Sequence, residues 1–198
     1  MGPTFDAVVL AGGRARRLGG VDKPALPVRG QPLVTAALQA VTEAARVVLV
    51  GPDRPDLDVP AGLAGRLRAT REEPPGGGPV AAVAAGLTLV RAPVTVVLAG
   101  DLPFVTATAV DRLRAALPGH PVAVAVDPAG RPQLLLAAWD TAALRAALRA
   151  APAPGRAMRE LFDGLATARV GLAAEPGRPP AWFDCDTAED LRAAERWP

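Results

Sequence analysis

The chain has 198 residues, half of them hydrophobic but only 4% aromatic and none Tyr, so a single core built of Ala, Val and Leu is expected. Its formal net charge of +2 is close to balance, which argues against a nucleic-acid binder, since these carry a larger or more clustered basic surplus. One Cys excludes an internal disulfide and a thiolate cage, and no signal peptide or charge-free apolar run of about 18 residues is present, so a cytoplasmic protein without membrane attachment is expected.

Along the chain, short runs of Val and Leu predict strands over Asp6–Leu10, Arg46–Val50, Val94–Ala99, Val122–Val126 and Leu134–Ala138. Between and after them, helical spacing predicts helices over Pro32–Ala45, Val80–Val90, Thr106–Leu117, Thr141–Ala150, Ala157–Leu165 and Thr187–Arg196. This alternation implies βαβ units: an α/β fold, one Rossmann-like three-layer domain over 1–198, with a mostly parallel central sheet and helices on both faces. Asp127-Pro-Ala-Gly130 reads as a turn joining an antiparallel pair, and the Pro-, Gly- and Asp-rich stretch Asp53–Gly65 as an exposed loop.

In such a sheet, ligands bind beyond the carboxyl ends of the strands. Directly after the first strand comes LAGGRARRLGGVDK, Leu10 to Lys23, whose glycines permit a backbone nest for an anion and whose Arg17 and Lys23 add charge to it. Between Ala11 and Gly30 five basic side chains face one acid, Asp22, which points to a small anionic ligand. The spacing is neither the dinucleotide fingerprint nor a Walker A loop. Asp101, in Gly-Asp-Leu-Pro, closes the most apolar strand; beside a phosphate-binding loop its carboxylate needs an intervening cation such as Mg²⁺, although a turn or cap role fits the same residue. Asp184 and Asp186 point the same way in an extended segment, and Asp186 with Glu189 also suits a capping box, so metal ligand and cap both stay open. Glu72 and Glu73 precede a glycine-rich wall and a helix start at Gly78-Pro79. His120 reads as a surface turn residue and Cys185 as packing, and without G-x-S-x-G hydrolase chemistry is disfavoured.

LAGGRARRLGGVDK closely resembles the signature of the molybdenum cofactor guanylyltransferases, within the larger nucleotidyltransferase family that also makes sugar nucleotides. The likeness continues through REEPPGGGPVAAVAAGL (71–87), VVLAGDLPF (96–104) and DCDTAEDL (184–191). It implies Mg²⁺-dependent transfer of GMP from GTP to the phosphate of molybdenum-molybdopterin, with release of pyrophosphate. By position it places Leu10, Ala11, Gly12, Gly13, Lys23, Gly51, Glu73, Gly78, Pro79 and Asp101 at the nucleotide. Arg17, Lys23 and Asp101 would act in catalysis, with Asp101 and Asp186 at the metal. The N-terminal half would serve mainly the nucleotide and the C-terminal half the acceptor, where Arg131-Pro-Gln133 and Gly155-Arg156 are candidates. The further expectations are a monomer or weak homo-oligomer, partners among molybdoenzyme maturation proteins, and no nucleic acid or membrane. Asp184 and Asp186 stand where some members have Asn, and Asp is more typical of the cytidylyl branch. A cytidylyl transfer to the same acceptor and a sugar-phosphate acceptor therefore stay open, as does a nucleotide-binding regulator without turnover.

Overall fold

The computed structural model describes residues 4–12, 14–15, 21–150, 155–172 and 179–197. Seven strands form one sheet: β1 (Phe5–Leu10), β2 (Arg46–Val50), β3 (Leu67–Thr70), β4 (Val94–Ala99), β5 (Val122–Val126), β6 (Pro132–Asp140) and β7 (Thr167–Gly171), in the order β7-β5-β6-β4-β1-β2-β3. β1 pairs in parallel with β2 and β4, β2 with β3, and β5 with β7. β6 runs antiparallel to both β4 and β5. The mostly parallel sheet expected from the alternating pattern is thus present.

Side chains alternate between the two faces of the sheet, as the strand period of two requires. Ala7 and Val9, Val47 and Leu49, and Val96 and Leu98 meet α1 (Leu33–Ala40) and α3 (Ala107–Ala116) on one face. Val8 and Leu10, Val48 and Val50, and Val97 meet α2 (Gly78–Leu87) and α4 (Thr141–Ala150) on the other. All of β1 is buried because both its faces are covered and both its edges are paired. The last helix, α5 (Ala188–Arg196), docks through Ala194 and Leu191 onto Val28, Leu33 and Cys185.

Four expectations about elements need correcting. The edge strands β3 and β7 are absent from the sequence reading, because Arg68, Thr70, Thr167 and Arg169 interrupt the apolar run that marks central strands. α1 ends at Ala40 rather than Ala45: the chain turns there, buries Val41 and Ala44, and lets the Ala45 amide donate to Phe5 (2.8 Å), which starts β2 beside β1. The helix expected over Ala157–Leu165 is a 3₁₀ turn at Met158–Leu161, stopped before Gly164 at a φ of 74°. The loop 53–65 is not wholly exposed, since its own 3₁₀ turn buries Leu63 completely.

α2 lies close on the sheet because Gly86 faces Val8 and Val50: a Cβ there would stand 2.6 Å from one Val8 methyl carbon. Gly86→Ala forces a well-packed layer apart, an overpacking cost of about 1–3 kcal/mol. At roughly 2–4 °C per kcal/mol for a chain of this size, the melting temperature falls by several degrees. A melting curve unchanged from the wild type would show that the helix has room to move.

Candidate active site

Four parallel strands, β4, β1, β2 and β3, end together. The Ala11 amide donates to Val50 (2.8 Å), Gly100 to Leu10 (2.9 Å), and Gly51 to Thr70 (3.0 Å). Backbones cross so closely here that a Cβ at Gly51 would lie 2.7 Å from the Ala11 carbonyl, and one at Gly100 2.9 Å from the Leu10 oxygen. Only glycine permits that approach. Beyond this crest opens a cavity of about 810 Å³, at the carboxyl edge where α/β sheets hold ligands. Its wall includes Leu10, Gly12, Asp22, Lys23, Arg71, Glu72, Gly78, Pro79, Asp101 and Leu135.

Lys23 begins a 3₁₀ turn (Lys23–Ala25), which pushes its side chain back toward the crest. Its ammonium bonds Asp101 Oδ2 at 2.5 Å and also Asp186 Oδ1, although these residues are 78 and 163 positions away in sequence. Only 12% of the Lys23 side chain is exposed. That burial lowers its pKa, but Asp101 first and then Asp186 outweigh it, so the group titrates above the ordinary lysine value.

Cys185 explains how the C-terminal segment arrives. Its amide donates to the Asp101 carbonyl (3.3 Å), and its side chain is fully buried against Val28, Leu33 and Ala194. In this extended stretch a buried Cys185 turns Asp184 and Asp186 to the opposite side, toward Lys23. Asp184 is raised above the usual carboxylate range by desolvation and then by the charges of Asp186 and Asp101. The capping role considered for Asp186 belongs to Thr187. Thr187 Oγ1 accepts from the Asp190 amide (3.1 Å), and Asp190 Oδ2 accepts from the Thr187 amide (2.7 Å). Asp186 is thereby left to pair with Lys23.

Across the cavity, α2 begins at Gly78-Pro79 without a side-chain cap on its first turn, so its N-terminal dipole faces the opening. Of the two acids in this loop, Glu72 and not Glu73 lines the cavity. Glu73 is exposed and off the cavity wall, whereas Glu72 is buried on it. Glu72 Oε1 accepts from the Gly76 amide (2.9 Å), and its Oε2 is buried without a partner among the described residues. Adjacent residues in an irregular loop carry no period, so the sequence alone does not choose between them.

The other candidates sort by the same geometry. Leu10, Gly12, Lys23, Gly78, Pro79 and Asp101 come together on the wall. Ala11 and Gly51 sit behind it, where they set the backbone rather than offer side chains. Gly13 and Arg17 lie outside the described residues. Arg131 and Arg156 are off the wall, paired with Asp127 (2.7 Å) and with Glu160. Two residues were missed. Arg71 lines the cavity just past the unrecognised strand β3, and Arg54 holds both Asp22 and the Ala11 carbonyl from the loop after β2. Recognising β3 as a strand would have placed Arg71 and Glu72 at a carboxyl end.

Residues 7–170 match the model of the MobA-like NTP transferase domain. The chain belongs to that family. A molybdenum cofactor guanylyltransferase of Burkholderia orbicola is 33% identical over 126 residues, 63% of this chain; the match spans only 62% of that relative's length. Another, from Shewanella amazonensis, is 26% identical over 187 residues, 94% of this chain and 93% of its own. The crystal structure of molybdopterin-guanine dinucleotide biosynthesis protein A from Archaeoglobus fulgidus superposes with a TM-score of 0.69 at 22% identity and covers 96% of both chains, a likeness of fold. Among the described residues no helix of the MobA-like domain is long and apolar enough to cross a membrane, and no three His, Cys, Asp or Glu side chains converge as a metal cage.

Burial first, and then the Asp101 charge, push the Cys185 thiol up to about 12. At pH 8 only about one thiol in 10⁴ is ionised, and the thiolate is the reactive form. A maleimide at pH 8 should therefore leave the folded chain unlabelled and add one label per chain in urea. Rapid labelling of the folded chain would mean that the C-terminal segment detaches from Asp101.

Proposed function

We propose that this MobA-like domain transfers GMP from GTP to the phosphate of molybdenum-bound molybdopterin, forming a guanine dinucleotide of the cofactor. The observation that carries the reading is the meeting of Lys23 and Asp101 on the wall of a cavity that also holds the N-terminus of α2, with Asp186 joined to them through the Lys23 ammonium. Such a site suits a polyphosphate: backbone N–H groups, a helix dipole and an ammonium on one side, and paired carboxylates for its counter-ion on the other.

Two carboxylates that share one cation form a hard oxygen donor set, and the Lys23 ammonium is the cation they share here. A magnesium ion takes one or two carboxylates and completes its shell with phosphate oxygens and water, so Asp101 and Asp186 fit it. When bound, it supplies Lewis-acid polarisation and neutralises phosphate charge. In the transfer, an oxygen of the acceptor phosphate attacks the α-phosphorus of GTP. The new P–O bond forms as the bond to the α,β-bridging oxygen breaks, and the electron pair leaves on pyrophosphate. The attacking oxygen is already anionic, so no side chain needs to remove a proton, and the only histidine, His120, is exposed on a turn. Lys23 neutralises charge growing on the leaving pyrophosphate. Alignment of the two anions supplies about 7–11 kcal/mol, the larger part of the barrier reduction.

Glu72 favours guanine over cytosine. A buried carboxylate oxygen without a partner is costly, and the guanine edge brings two adjacent donors, N1–H and the N2 amino group. Cytosine brings one donor beside two acceptors, which a carboxylate repels. The test is pyrophosphate release with Mg²⁺ and molybdenum-loaded molybdopterin, comparing GTP with CTP, ATP and UTP. GTP-selective release is expected; release with CTP alone, or none with any nucleotide, would overturn the reading.

Two substitutions check the assigned roles. Asp101→Ala lowers turnover at least about 10²–10³-fold, the scale of losing one charge-stabilising group. Because Asp101 serves a ligand, circular dichroism of the mutant should match the wild type; wild-type turnover would remove it from the site. Glu72→Gln keeps the volume but loses the charged acceptor, worth about 1.5–3 kcal/mol. The GTP KM then rises roughly 10- to 150-fold and the preference for GTP over CTP narrows. An unchanged preference would place base recognition elsewhere.

A further inference from the structure

Arg54, a buried guanidinium behind Asp22 of the cavity wall, grips two segments at once. Its side chain is 8% exposed. Nη2 donates to the Ala11 carbonyl at 2.5 Å and to Asp22 Oδ1 at 2.7 Å, while Nη1 donates to Asp22 Oδ2. The contact with Asp22 is the bidentate fork that only arginine makes, and such pairs fix geometry as well as add energy. Its two targets are the crest of β1 and the residue immediately before Lys23. Arg54 itself lies in the loop just after β2, the parallel neighbour of β1.

We propose that Arg54 is a positioning residue: by tying Asp22 to the end of β1 it sets where the Lys23 ammonium stands relative to Asp101 and Asp186. The inference rests on the nucleotide-binding reading of the cavity. Lys23 has a long, freely rotating stem, and its own backbone is held only by a three-residue turn. With Asp22 clamped, the stem starts from a fixed point, and its Nζ reaches Asp101 Oδ2 at 2.5 Å. An ångström of misplacement in such a site costs about 10²-fold.

The experiment measures Mg·GTP binding by calorimetry and kcat/KM by pyrophosphate release in wild type, Arg54→Ala, Lys23→Ala and the double variant. Arg54→Ala in the wild-type background is expected to weaken kcat/KM about 10²-fold. In the Lys23→Ala background the same substitution should change Mg·GTP affinity less than about twofold, because a residue that acts through Lys23 has nothing left to position. Arg54→Lys keeps the charge but not the fork, and should recover little of the loss. If Arg54→Ala does not fold, Asp22→Asn removes one arm of the clamp, leaves the bond to Ala11, and carries the same cycle. Equal losses with and without Lys23, or no loss at all, would overturn the assignment. A wild-type chain that binds no Mg·GTP would instead overturn the nucleotide reading on which it rests.

Discussion

One ammonium holds three distant parts of this chain together. Lys23 lies between Asp101, at the end of a central strand, and Asp186, just before the last helix. Removing charges from water is expensive, and a partly buried ion pair returns that cost only with good geometry and further hydrogen bonds. A pairing of this kind is weak evidence of stabilisation and better evidence of a site. Without a cation the carboxylates of Asp101, Asp184 and Asp186 would repel one another, which the raised Asp184 already reflects. Lys23 is raised above its ordinary value, so its contribution is complete below the unfolded lysine pKa and is lost only as pH rises through the folded one. Through the neutral range the pairing is therefore constant.

The sheet makes that meeting possible by bringing backbone, not side chains, to the crest. β1 ends between Gly51 and Gly100, and neither position has room for a Cβ. These contacts fix Ala11 and Gly12 against two neighbouring strand ends, so the floor of the cavity has few ways to relax. Opposite this floor, the tight seat of Gly86 on Val8 holds α2 and its open N-terminus at constant height. Cys185 finishes the arrangement: its burial decides which face of the C-terminal segment carries the acids. Asp101, at the end of β4, and the N-terminus of α2 are thus set by the sheet and its packing, which suits a reaction governed by alignment.

Much of this was legible in the sequence, for definite physical reasons. Central strands buried on both faces leave continuous runs such as VVLV and VTVVLA, and a rule about carboxyl ends then leads to Lys23 and Asp101. Edge strands leave no such run, so β3 and β7 were invisible, and with β3 went Arg71 and the choice of Glu72 over Glu73. The sequence left Asp186 open between cap and ligand because Asp186 and Thr187 are both good caps; only the hydrogen bonds separate them. Arg54 was hidden for another reason: its partners lie 32 and 43 residues away, and no local pattern encodes a long-range fork.

The charges on the cavity wall bear on the proposed nucleotide. Asp22 is answered by Arg54, Asp101 by Lys23, and one oxygen of Glu72 by the Gly76 amide. Glu72, with one buried oxygen left unpaired, and the exposed cation Arg71 lie on the same wall. A simple anion would satisfy Arg71 and be repelled by Glu72, and a simple cation the reverse. A ligand that satisfies both must carry hydrogen-bond donors at one place and acceptors or negative charge at another, with enough length to span a cavity of about 810 Å³. A guanine nucleotide has that distribution, with its donor edge on the base and its charge on the phosphates. In the proposed complex the base, which a free polyphosphate lacks, supplies the donors for Glu72.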